Sequence, residues 1–173
     1  MHKYAKLHLH LGMDFMTQVE AIKDKSSFSI KPSPSKWSKN EILGHLVDSA
    51  YNNHQRLVRA KTQGNLIFQG YDQDDWVIQN NYQSRTFNSI QGSWLMANQH
   101  LNSLIANLSV DYLERLTTDH NFNQICMNKL PKGQPASLAY LVLDYCFHLE
   151  HHISQILPNY KKLGGQFGGF SPN

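Results

Sequence analysis

The sequence predicts an all-α protein built as a four-helix bundle, and three observations carry that prediction. Four segments of about 20 residues repeat apolar side chains at helical spacing, strand-like alternation is nearly absent, and capping or breaking residues separate the segments. A chain of 173 residues buries a real core without disulfides or a structural metal, so one helical domain is expected over residues 1–173.

The first helix is expected over about residues 4 to 25, where Leu11, Phe15, Val19 and Ile22 share a face before the polar run Lys23-Asp24-Lys25-Ser26-Ser27. Pro32 and Pro34 make 31–36 a linker, because proline forbids regular helix. After Trp37, the run Ser38-Lys39-Asn40-Glu41 is a Ser-x-x-Glu capping box, and it opens a second helix reaching to about Thr62. Ile42, Leu43, Leu46, Val47, Ala50, Leu57 and Val58 form its stripe, and Gln63-Gly64-Asn65 stops it. Residues 64 to 84 have no sustained period and read as a long ordered loop holding a short helical turn.

A third helix is expected from about Thr86 to Leu108, with Trp94, Leu95, Leu101, Leu104, Ile105 and Leu108 facing inward. A helical turn follows at 109–113, and residues 117 to 134 read as irregular or as a short hairpin. Pro135 precedes a fourth helix from about Ala136 to Leu157, which Pro158 ends. The Gly-rich stretch 164–173 has the composition of a flexible tail. The connections between helices one and two and between three and four are long enough for non-sequential packing.

Charge and composition exclude several classes. The formal net charge of +3 comes from 16 Lys plus Arg against 13 Asp plus Glu, spread without a basic block, and no nucleic-acid fingerprint is present. No nucleic-acid partner is therefore expected. No run approaches the ~18 apolar residues of a membrane span, and the start lacks the apolar stretch of a secretory signal, so a soluble cytoplasmic protein is expected. Cys126 and Cys146 have no CxxC spacing and read as reduced, buried thiols.

The segment Asp144-Tyr145-Cys146-Phe147-His148-Leu149-Glu150-His151-His152-Ile153-Ser154-Gln155-Ile156 carries the chemistry. Positions i and i+4 of a helix lie about 40° apart and one turn up, so His148 and His152 can converge on one cation. Among ten histidines such a pair also arises by chance or on a solvated face. Here it borders the stripe Leu138, Leu141, Val142, Tyr145, Leu149, Ile153, Ile156, where bundle cofactor sites are built. His151 is within reach of the same face and can replace one ligand.

His45, in the second apolar helix, is the candidate third ligand, with a satisfied core histidine as the plainer reading. Ser49, Asn52 and Arg56 follow it on one helical face and are candidate substrate-binding residues. Arg56 suits a carboxylate or a surface ion pair. Three imidazoles leave a position open on Zn²⁺ or Ni²⁺, whereas a structural zinc wants four protein ligands. Cys146, about 200° around the helix from His148, does not supply a fourth, and Cys126 is no obvious one. Asp48 and Asp144 are either acceptors for the ligand imidazoles or solvated surface, and Glu150 should face away. His2, His8 and His10 alternate in a segment with no anchor and read as solvated or adventitious. Trp37, Trp76 and Trp94 read as core.

Taken together, Trp37-Ser38 with Glu41 to Ala50, the intervening Tyr71 to Trp76, and the histidine segment of the last helix resemble the DinB/YfiT-like superfamily over roughly residues 10 to 158. The resemblance implies an up-down-down-up four-helix bundle, often a homodimer, holding one divalent metal through His45, His148 and His152. Relatives include metal-dependent S-transferases using low-molecular-weight thiols such as bacillithiol or mycothiol, a maleylpyruvate isomerase, and proteins described as metal-dependent hydrolases. A metal-dependent S-transferase or hydrolase acting on a small molecule is therefore expected, the co-substrate being a thiol in the first case. The alternative is a non-catalytic, metal-binding stress-response or dimeric binding protein. A di-iron carrier fits less well, because helices one and three lack matching histidine and carboxylate pairs.

Overall fold

Each of the four apolar-periodic segments folds as a long helix. The computed structural model describes residues 1–157 and 159–162. The long helices are α1 (Lys3–Glu20), α2 (Lys39–Ala60), α4 (Phe87–Asn107) and α7 (Leu138–Ile156), and the short ones are α3 (Gln73–Gln79), α5 (Val110–Glu114) and α6 (Phe122–Ile125). At α2, α3, α4, α5 and α7 a side chain at the N-cap satisfies an otherwise orphaned amide. At α2 the capping box closes in both directions: the Glu41 amide donates to the Ser38 hydroxyl at 3.3 Å, and the Ser38 amide donates to the Glu41 carboxylate at 2.8 Å. Thr86 and Ser137 cap α4 and α7, and Asp72 caps α3 by accepting from the amides of Asp74 and Asp75.

Contacts along the helices set their directions. In α1 and α4, His8 meets Asn98 and Asn102 while Phe15 meets Trp94, so the two run antiparallel. In α2 and α7, His45 meets His148 and His152 while Asn53 and Leu57 meet Leu141 and Val142, again antiparallel. In α2 and α4, Asn40 bonds the Arg85 carbonyl just before α4 and Leu57 lies by Leu101 and Ile105, so these two are parallel. The bundle is up-down-down-up. α1 and α2 each pack on α4 and α7, so α1 lies diagonal to α2 and α4 diagonal to α7, while α2 and α4 are direct neighbours. Because α2 and α4 are parallel, residues 61–86 must run back along the bundle, and α3 is folded from that return.

The core has two apolar parts. One gathers Leu57, Leu101, Ile105, Leu113, Phe122 and Leu138; the other gathers Leu11, Phe15, Leu43, Trp94, Leu149 and Ile153. Between them runs a polar belt: the Tyr145 hydroxyl donates to Asn98 Oδ1 at 2.8 Å, and His8 lies 3.1 Å from Asn98 and 3.1 Å from Asn102.

Several expectations are corrected. α1 ends at Glu20 rather than near residue 25, because the Ile22 amide closes on Val19 and the Lys25 ammonium bonds the Ile22 carbonyl, turning the chain. His8 is not solvated: it is 2 % exposed in the polar belt, and His2 bonds the Ile105 carbonyl. Val58 and Leu95 point outward. Of the two readings for 117–134 the irregular one holds apart from α6, and no hairpin forms. Isolated bridges instead tie Leu66 to His120 and Thr117 to Ala136, partners too far apart in sequence for local alternation to reveal. Of the tryptophans only Trp94 is fully buried. Among the described residues no helix is long and apolar enough to cross a membrane. The expected stop at Pro158 and the tail at 164–173 fall outside the described residues.

Candidate metal centre

His45 lies in the second turn of α2, and His148 and His152 lie on successive turns near the end of α7. Antiparallel packing brings them together: the ligand atoms of the three imidazoles lie within 4.8 Å of one another. Nε2 of His45 and Nε2 of His148 are 2.9 Å apart. Two nitrogens at 2.0–2.1 Å from one tetrahedral ion would be separated by about 3.3 Å, so this pair is within a few tenths of that spacing. Burial keeps the rings unprotonated, which metal binding requires. Burial, then neighbouring His152, push the pKa of His45 down to about 3. Burial brings His152 to about 4 and pushes His148 well below the usual histidine range.

Two neighbours orient these imidazoles. His152 Nδ1 donates to Gln155 Oε1 at 2.8 Å, which leaves Nε2 with its lone pair. Trp37 lays its ring 5.0 Å from that of His45, a consequence of the capping box that turns the chain into α2. The Nδ1 atoms of His45 and His148 are buried and have no partner among the described residues. These three neutral, convergent nitrogen donors fit a borderline divalent ion such as Zn²⁺ or Ni²⁺.

The imidazoles form one wall of a cavity of about 340 Å³. α2 contributes Ser49, Asn53 and Arg56, α7 contributes Leu141, Asp144, Tyr145 and His151, and the rest comes from Gly70, Tyr71, Gln73 and residues 124–127. Asn52, expected to share this face, does not line the cavity; its amide bonds the Asp48 carbonyl at 2.9 Å. The cavity-facing arc of α2 runs from His45 round to Asn53, about 80° on, and Asn52 falls about 20° outside its other edge. His151 lines the cavity but stands outside the three-ligand group, its Nε2 3.1 Å from the Gln155 amide.

Neither Asp48 nor Asp144 bonds a ligand imidazole. The Asp144 carboxylate accepts from the amides of Met127 and Asn128 at 2.9 and 2.8 Å and so pins the far wall onto α7. Asp48 accepts from the Tyr82 hydroxyl and the Asn80 amide. Cys126 also lines the cavity, its thiol pushed up by burial and by Asp144, while Cys146 is in the apolar core. The sequence reading missed Gln155, Asn53, Trp37 and Cys126 as parts of the site. Gln155 alone left a signal, three residues beyond His152 and on its face of the helix.

Helix order and histidine cluster define a bundle protein with a cavity walled on one side by three imidazoles. The chain belongs to the DinB superfamily, whose sequence model matches residues 13–156. Among solved structures it is similar to YfiT from Bacillus subtilis, described as a probable metal-dependent hydrolase with an unusual four-helix bundle topology. The two share 16% identity with a TM-score of 0.68, covering 89% of this chain and 82% of that one, a likeness of fold. No curated protein matches the sequence.

Proposed function

We propose that this protein is a metal-dependent enzyme acting on a small molecule, with His45, His148 and His152 holding one divalent ion, Zn²⁺ or Ni²⁺. The observation that supports it is the convergence of three neutral imidazoles on the wall of a cavity of substrate size. Catalytic sites keep three protein ligands and structural sites four. Bound there, the ion supplies Lewis acidity that lowers the pKa of a thiol or a water, the chemistry of S-transfer and of hydrolysis. The chain's own residues prepare the site: burial holds the imidazoles neutral, Gln155 selects the His152 tautomer, and Trp37 covers His45. Thiol transfer rests on family resemblance, and the description of YfiT supports hydrolysis. A homodimer goes with this reading on resemblance alone.

The test starts with elemental analysis of purified, untagged protein beside His45→Ala and His148→Ala. About one Zn or Ni per chain, lost in both variants, is expected. Turnover is then followed with a low-molecular-weight thiol plus a chlorinated aromatic acceptor, and separately with an activated ester. Equal rates for the parent protein and His148→Ala in both assays would sink the proposal.

A further inference from the structure

Arg56 stands in the same cavity, three helical turns along α2 from His45, without an anionic partner. It is 8 % exposed, and among the described residues no carboxylate comes within ion-pair distance of it. Its Nη1 reaches Asn53 Oδ1 and its Nη2 the Gln69 carbonyl, both at a long 3.4 Å, and its Nε has no acceptor. These are weak bonds for a charged donor, whose usual range ends near 3.2 Å. The neighbouring carboxylate, Asp144, is committed to Met127 and Asn128. A guanidinium stays protonated in proteins, so a positive charge with weakly held Nη groups and a buried, unsatisfied Nε stands on the cavity wall.

We propose that Arg56 is the anion-binding end of the cavity and that the substrate is an organic carboxylate, its carboxylate seated on the fork of this guanidinium. A planar fork of two N–H groups matches the two oxygens of a carboxylate. A single guanidinium flanked by neutral Asn53 and Tyr71 balances one negative charge, which selects a carboxylate over a dianionic phosphate. Residues between the two ends, Ser49 and Tyr145, face the body of such a molecule. The inference deepens the proposed function and rests on it for the reacting end, but the Arg56 subsite itself does not require the ion.

Calorimetry on the zinc-loaded protein compares 3-mercaptopropionate with its neutral methyl ester. The acid is expected to bind about tenfold more tightly, as one charge-assisted contact provides. In Arg56→Gln the preference should fall to about twofold or less with metal content unchanged, and Arg56→Lys should recover part of it. Equal affinities in the parent protein, a comparison that needs no variant, would overturn the inference. So would a preference that survives in Arg56→Gln. A second readout separates this inference from the metal reading: propionate titrated into metal-free protein should shift the Arg56 Nε–H resonance. That shift in a protein that takes up no zinc would refute the metal site and uphold the carboxylate subsite. Zinc uptake without the shift, or tighter binding of methylphosphonate than of propionate, would overturn the subsite.

Discussion

Asp48 sits one turn beyond His45 with its carboxylate inside the bundle, accepting from the Tyr82 hydroxyl at 2.8 Å and the Asn80 amide at 3.1 Å. Burial outweighs those bonds and raises its pKa to about 6. The unfolded value is about 3.9, so between the two the folded chain binds more protons and stability falls as pH rises. The penalty is complete above the folded pKa and absent below the unfolded one. On metal-free protein, Asp48→Asn should therefore gain roughly 2 kcal/mol relative to the parent between pH 4 and pH 8. Chemical denaturation at the two pH values reads this, and a pH-independent difference would contradict the assignment. Of the three clustered imidazoles Gln155 bonds only that of His152. Because Gln155 is exposed and water can replace its carbonyl, Gln155→Ala should weaken zinc binding by about tenfold, the low end for such partners, in a chelator competition.

The close approach of α2 to the turn at Tyr82–Ser84 depends on Gly44. A Cβ there would overlap Cγ and Cδ2 of the Tyr82 ring, so Gly44→Ala must displace the side chain that bonds Asp48. A cost of about 1–3 kcal/mol is expected from overpacking, against the ordinary gain from removing a helical glycine. Gly92 in α4 is the control, since nothing lies within 4 Å of a Cβ at that position. Gly92→Ala should stabilise by about 0.5–1 kcal/mol. Opposite signs for the two variants in urea denaturation check the packing account, and a stabilising Gly44→Ala would refute it.

At the scale of the molecule, His45 joins α2 to α7, and an ion held there would bind two helices that the chain connects only through a parallel crossover and a diagonal step. Metal binding should then appear as folding stability. At an ion concentration about 100-fold above Kd the gain is about 2.7 kcal/mol. For a chain of this size that raises Tm by about 5–10 °C. Zinc loading should produce the shift in the parent protein and abolish it in His45→Ala, as followed by thermal melts with and without chelator. An unchanged Tm in a protein shown to hold zinc would mean that the site does not couple the two helices.

Helical periodicity, the Ser38–Glu41 box and the i, i+4 spacing of His148 and His152 are local properties, decided within one or two turns of chain, and the sequence by itself determined them. The helix class and the four long segments were legible for that reason. Placing His45 opposite the pair required α2 and α7 to run antiparallel, which resemblance implied and periodicity alone could not. Only the tertiary structure decided that Asn53 rather than Asn52 turns to the cavity, because that depends on which arc of α2 the partners leave open. It also decided that His8 is buried against Asn98 and Asn102, and that Cys126 reaches the cavity wall through a loop pinned by Asp144. Burial and pairing between distant segments come from packing, which the local pattern constrains to a face but does not aim within it.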